Sequence, residues 1–246
     1  QGTGSPSTSS VLRNNGDATF APDQEYGVGV GPEAVSLGDL DGDGDLDVAV
    51  ANDADNIVSV LLNNGDGTLA PQQTYAVDER ARDVAIADLD GDGDLDIAVA
   101  GASTLSILLN NGDGTFPPRH TLDAPGDEIA LADVDGDNDM DIITGRSGYT
   151  VLRNNGDATF APADTYGSGS AEDLQLADLD GNGLPDIAGV SGTNLQIRLN
   201  CGPFGATIAA QPAAVVLLPA GGGVAELTVR PGGTAPYSYQ WRREGV

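Results

Sequence analysis

Four short stretches concentrate the carboxylates of this chain. Asp39-Leu40-Asp41-Gly42-Asp43-Gly44-Asp45-Leu46-Asp47 holds five of them in nine residues, at every second position. Asp88 to Asp96 repeats it letter for letter, and Asp133 to Asp141 and Asp178 to Asp186 are variants. Left uncompensated, such spacing is repulsive. Oxygens at alternate positions of a nine-residue loop can instead wrap one hard cation, and calcium takes six to eight oxygen ligands. In the first copy the side-chain ligands are then Asp39, Asp41, Asp43 and Asp47, while Asp45 lends its backbone carbonyl. Gly42 and Gly44 permit the tight, partly left-handed path this requires, and Asn138 replaces the second glycine in the third copy, asparagine being the next best residue at positive φ.

The fourth copy separates ligand chemistry from simple acidity. Its seventh position is Leu184, which has no side-chain oxygen, and its fifth is Asn182, a neutral oxygen ligand. Oxygen is lost from a side chain only where the backbone serves. Asp45→Leu is therefore expected to be tolerated and Asp43→Ala is not. An EF-hand would need Glu at position 12 between helices; Val50, Val99, Thr144 and Gly189 stand there, between apolar strand-like runs. The nine-residue calcium β-roll repeats every nine residues, unlike this chain. Magnesium demands stricter octahedral geometry and keeps its waters. One ion per loop gives four calcium ions, which would bring the formal charge from −28 to about −20.

Other chemistry has little to work with. The chain has one histidine, His120, at a position filled by Gln24, Gln73 or Asp164 elsewhere, and one cysteine, Cys201, with no basic neighbour. Bound calcium would keep the loop carboxylates ionised rather than poise one for acid catalysis. The sequence points to a protein that is not an enzyme. Tyr26, Tyr75 and Tyr166 recur at one place in the repeat and read first as packing, second as a shallow sugar platform.

The elements that must hold the loops follow from the repeat. Loop starts are separated by 49, 45 and 45 residues. A second motif alternates with them: Val11 to Phe20 (VLRNNGDATF) recurs at Val60, Ile107 and Val151, the last identical to the first. Each unit reads as four strands. Beginning near Glu33 these are Ala34 to Leu37 before the loop, Val48 to Ala51 after it, Ile57 to Leu62, and Thr68 to Tyr75 following the Asn63-Asn64-Gly65 turn, with Pro71 marking an edge. No segment shows sustained helical periodicity. Four antiparallel strands every ~45 residues predict an all-β chain of propeller blades rather than a solenoid. Residues 11–26 supply the last two strands of one blade and residues 173–200 three strands of another. About four to five blades are present, read as part of a larger ring. Residues 1–10 are expected to be disordered, 11–200 to form the propeller, and 201–210 to be a linker.

Composition narrows the partners. The formal charge of −28 and the complete absence of Lys argue against nucleic acid or an anionic membrane surface. No run approaches a membrane span. With one cysteine no internal disulfide is possible.

The D-x-D-G-D-G-x-x-D loop, the apolar strand after it and N-G-D-G-T-F in each unit together resemble the FG-GAP/VCBS repeat family, which includes the integrin α propeller. The resemblance covers residues 11–200. It implies calcium held inside the blades and a secreted or cell-surface, adhesive or interacting module of bacterial type, with an extracellular protein or glycan as partner. Carried over position by position, it gives the ligand role also to Asp88, Asp90, Asp92, Asp96, Asp133, Asp135, Asp137, Asp141, Asp178, Asp180 and Asp186, and the carbonyl role to Asp94 and Asp139. The short Phe-Ala-Pro segments depart from the integrin pattern, so integrin-type ligand binding is not implied. A carbohydrate-binding propeller, or the non-catalytic part of a secreted carbohydrate-active enzyme, is the alternative. Residues 211–246, ending on Tyr-Gln-Trp241, resemble the opening strands of a bacterial immunoglobulin-like domain.

Overall fold

The structure, a computed structural model, describes residues 7–167, 173–191 and 194–200, together with the backbone of 208–210 and 230–231. Every regular element among them is a strand. Three antiparallel sheets have four strands in simple chain order: β3 (Pro32–Gly38), β4 (Asp47–Asn52), β5 (Ile57–Leu61) and β6 (Gln73–Ala76); β7 (Asp83–Ala87), β8 (Asp96–Ala100), β9 (Leu105–Leu108) and β10 (His120–Leu122); β11 (Glu128–Ala132), β12 (Asp141–Gly145), β13 (Tyr149–Leu152) and β14 (Asp164–Tyr166). A three-stranded sheet follows, β15 (Asp173–Ala177), β16 (Asp186–Ser191) and β17 (Asn194–Arg198). Ahead of them all lies the pair β1 (Ser7–Val11) and β2 (Gln24–Val28), which corresponds to the third and fourth strands of a blade. These are propeller blades, as the repeat predicts.

The strand sequences explain the stacking. Middle strands such as DIAVA (β8) and LSIL (β9) are buried along their whole length. Such runs read as continuously apolar because both faces are covered. The covers are the neighbouring blades. Ala49, Ala51, Val58 and Val60 of one sheet pack on Val84, Ile97, Val99 and Leu108 of the next. Ala98, Ala100, Leu105 and Ile107 then pack on Ile129, Ile142 and Leu152. Ile143, Tyr149 and Val151 meet Leu174 and Ile187. Each buried Val, Leu or Ile contributes about 1.5–3 kcal/mol to this stack. First strands lie against one another in succession, β3 on β7, β7 on β11, β11 on β15. Their approach is close enough to demand small residues: a Cβ on Gly38 would stand 2.7 Å from Ile86 Cγ2, and alanine fills the same place at Ala87, Ala132 and Ala177.

Two boundaries differ from the sequence reading. The fourth strand begins at Gln73, not Thr68; the chain between makes a single bridge, Asn63 to Leu69, and reaches the edge only after Pro71. The first strand begins at Ser7, ahead of Val11. Ser7 to Ser10 carry no apolar pattern and are extended because they pair with Glu25 to Val28. Cys201 and Trp241 lie outside the described residues, as does the immunoglobulin-like reading of 211–246 apart from the short antiparallel pair β18 (Ile208–Ala210) and β19 (Arg230–Pro231).

Candidate metal centre

Each acidic loop is the turn between the first and second strands of a blade. Its path is set by backbone N–H groups folding onto its own carboxylates. Asp39 accepts from Gly42 N (2.9 Å) and Gly44 N (3.0 Å), and Asp43 Oδ1 accepts from Asp45 N (2.9 Å). Asp88, Asp133 and Asp178 take the same bonds in their loops. The two glycine positions have positive φ, +75° and +92° in the first loop, and Asn138 takes φ 76° in place of the second. The residue exchange anticipated from sequence is therefore a conformational match.

The ninth position closes the loop. Asp47, Asp96, Asp141 and Asp186 are at most 1% exposed. Each carboxylate bonds two backbone groups, one at the second loop position and one at the first Asn of the following turn. For Asp47 these are Leu40 N (2.7 Å) and Asn63 N (2.7 Å); for Asp96, Leu89 N (2.9 Å) and Asn110 N (2.8 Å).

Carboxylate oxygens converge in all four loops. Those of Asp39, Asp41 and Asp43 lie within 4.8 Å of one another, as do those of Asp88, Asp90 and Asp96, of Asp133, Asp135 and Asp141, and of Asp178, Asp180 and Asp186. The first and third positions belong to every group. The ninth joins them in three loops and the fifth in one. Asp92 and Asp137 are not in these groups, nor is Asp47. The seventh-position side chains lie elsewhere: Asp45, Asp94 and Asp139 stand over the turn glycines Gly65, Gly112 and Gly156, where a Cβ would meet their Oδ2 at 2.8, 2.5 and 2.7 Å. Leu184 instead lies 3.6 Å from a Cβ position on Gly136.

The electrostatics fit a cation. Burial, and then like charge from Asp90 and Asp92, pushes the Asp96 carboxyl up to about 6 against the pull of its two N–H bonds. Asp141 is likewise pushed up to about 6, by burial and then by Asp135 and Asp137. Asp41, Asp90 and Asp135 are raised for the same reasons. Asp178 goes the other way, held down chiefly by the Gly183 N–H. In the third loop Asp135 Oδ1 is buried with no hydrogen-bond partner. An orphaned carboxylate oxygen inside an all-oxygen cluster is what a hard cation would satisfy. The residues present therefore fit calcium.

Sequence reasoning saw the Asn-Asn-Gly segments only as turns. Their first asparagine does more. The Asn110 side-chain amide donates to Leu95 O of its own loop (2.9 Å) and to Leu40 O of the preceding one (2.7 Å). Asn154 spans Met140 O (3.1 Å) and Leu89 O (2.7 Å), and Asn200 spans Pro185 O (3.2 Å) and Val134 O (2.6 Å). The signal available in sequence was that Asn is kept at 200 although Cys201 replaces the second Asn and Pro203 the Asp of the turn motif. Two of the three recurring tyrosines also reach the next blade. Leu69 N donates to Tyr26 Oη (3.2 Å), and Tyr75 packs edge-on to Phe116 at 5.0 Å. His120 is an exposed residue of edge strand β10.

The profile of the FG-GAP-like repeat matches four overlapping segments, 2–50, 39–99, 88–144 and 133–189. The chain belongs to the FG-GAP-like repeat family. Each segment after the first begins on the first aspartate of a loop and ends in the second strand of the next blade, so the family's repeat is offset by one strand from the blade. No curated protein matches the chain. Among solved structures, this FG-GAP-like chain is similar to an Agrocybe aegerita lectin described in specific recognition of non-reducing terminal N-acetylglucosamine, with 27% identity and a TM-score of 0.55 over 78% of this chain and 57% of that one. It is also similar to BBS1N, solved in complex with ARL6DN, with 16% identity and a TM-score of 0.52 over 78% of this chain and 58% of that one. The second likeness concerns fold alone. The chain spans less than three fifths of either structure.

Proposed function

We propose that this chain is a calcium-stabilised FG-GAP module, non-enzymatic, that serves adhesion or protein interaction in a secreted or cell-surface protein. The observation that carries it is the convergence of carboxylates in all four loops, with Asp135 Oδ1 buried and unpartnered among them. Eighteen of the 38 acidic residues lie in these loops. Asp39, Asp88, Asp133 and Asp178, with the third-position aspartates Asp41, Asp90, Asp135 and Asp180, would hold the ions, joined by Asp43 in the first loop and by the ninth-position carboxylates Asp96, Asp141 and Asp186 in the others. Bound calcium supplies charge neutralisation and cross-linking where the chain has no disulfide. Because an ion held by the folded loop and not by the unfolded chain adds its binding energy to stability, the melting temperature should rise by several degrees between EDTA and millimolar Ca²⁺. An unchanged melting temperature would sink the reading. Among the described residues no helix is long and apolar enough to cross a membrane.

The lectin likeness favours a second reading, a glycan as partner. Of the recurring tyrosines, Tyr26 and Tyr75 already serve the contact with the next blade, which leaves the exposed Tyr166 as the platform. A glycan array including N-acetylglucosamine termini tests it; an array without hits removes it.

A further inference from the structure

The ninth-position aspartates and the turn asparagines form one hydrogen-bonded line through all four loops. Leu40 N donates to Asp47, and Leu40 O accepts from Asn110, whose own N–H is bound to Asp96. Asp96 also accepts from Leu89 N; Leu89 O accepts from Asn154, whose N–H is bound to Asp141. Asp141 accepts from Val134 N; Val134 O accepts from Asn200, whose N–H is bound to Asp186. Every link is between 2.6 and 2.9 Å. Asp96, Asp141 and Asp186 are at once links in this line and members of the carboxylate groups.

We propose that Asn110, Asn154 and Asn200 are positioning residues that couple the loops, so that a cation held in one loop raises the affinity of the next. This rests on the calcium reading above. A cation drawing on Asp96 fixes that carboxylate and with it the peptide of Leu89. The Leu89 carbonyl is then held for Asn154, which presents its N–H to Asp141. The next loop is ordered before its own ion arrives, and the second binding event has less freedom left to remove. Asn63 is a built-in contrast. Its N–H binds Asp47 and its amide reaches Leu46 O at 3.2 Å, but no described loop precedes it to offer a second carbonyl.

The test is a calorimetric titration of the full chain with Ca²⁺. The native chain should bind with a Hill coefficient above one, and Asp90→Ala in the second loop, whose group includes Asp96, should weaken the later sites by about fivefold, the low end of common coupling free energies. In an Asn154→Ala background the same Asp90→Ala change should leave the later sites untouched, with the number of those sites preserved. Asn63→Ala, which removes no bond between described loops, should keep the steepness. Independent binding in the native chain, or an Asp90→Ala effect undiminished by Asn154→Ala, overturns the coupling while leaving the calcium sites standing. No binding at millimolar Ca²⁺ overturns the calcium reading itself. Should Asn154→Ala fail to fold, the native chain and Asp90→Ala still decide whether the loops are independent.

Discussion

The backward faces of the first two complete blades are built from equivalent residues in opposite surroundings. Val84 of the second blade is 5% exposed; Val35, its counterpart in the first, is 64% exposed. Asn110 reaches into the loop of a preceding blade, whereas Asn63 has its own loop alone. The preceding sheet covers the outer half of the first blade, where Tyr26 and Val28 pack on Val50 and Leu61, and leaves the inner half, with Leu37 and Leu46, open. A blade is thus not a unit of stability by itself. Its sheet is only a few residues deep, and its middle strands are covered by residues of a neighbour, as in other repeat architectures.

This contrast can be broken most forcefully with a charge. Val84→Asp should cost about 4 kcal/mol, because an unpaired carboxylate would be buried between blades. Val35→Asp, the same change on the open face, should stay within about 0.5 kcal/mol. Urea unfolding of the two variants measures the difference, and equal costs would mean that the stacked faces do not hold the molecule together. Within the loops the expected contrast is between the ninth and seventh positions. Asp96→Ala orphans the N–H groups of Leu89 and Asn110 and should cost about 2–4 kcal/mol even in EDTA. Asp94→Ala, whose carboxylate stands over Gly112, should cost less than about 1 kcal/mol and leave calcium affinity nearly unchanged. Comparable losses in both would show that the seventh side chain belongs to the site.

The third interface offers a subtler contrast. Tyr149 is 1% exposed, its hydroxyl has no partner, and it occupies the space that a side chain at position 189 would take. Gly189 stands where the other blades have Val50, Val99 and Thr144. Restoring the repeat with Gly189→Val should therefore destabilise by about 1–3 kcal/mol through overpacking. Tyr149→Phe, which removes the unpaired hydroxyl, should be neutral or stabilising by about 1 kcal/mol. Thermal melts of both variants report the sign; a stabilising Gly189→Val would show that the two residues do not compete for one space.

How much of this was legible in the sequence differs from feature to feature. The blades were, because the period is written in letters: Asp39 to Asp47 and Asp88 to Asp96 are the same nine residues. Asp39, Asp41 and their counterparts were legible because oxygen ligands must alternate along an extended loop. The strand at Ser7 to Ser10 was not, since its cause is a partner strand rather than an apolar pattern. The line through Asn110, Asn154 and Asn200 was not legible either. Asn-Gly already has a sufficient local explanation as a turn, and nothing local reveals an acceptor about 70 residues away. Contacts between repeats leave no spacing signature of their own.

The smallest expected effect again sets the first blade against the others. At the start of the first strand the later blades carry Asp83, Glu128 and Asp173, where the first has Ala34. Asp83 is held by Ile129 N at 2.9 Å. Glu128 is pushed up to about 7, first by burial and then by Asp83, Asp173 and Asp127. A folded-state value above the ordinary 4.5 means that ionising Glu128 opposes folding. The stability held by its protonated form is fully present below about 4.5 and is lost as pH rises through about 7. Glu128→Gln should therefore stabilise the chain at pH 8, by on the order of 1 kcal/mol once solvent screening of a partly exposed group is allowed for, and should make no difference at pH 4. Urea unfolding at the two pH values measures both. A gain of equal size at pH 4 would mean that the amide side chain packs better for reasons unrelated to charge, and that the crowding of carboxylates at this end of the first strands is compensated by solvent.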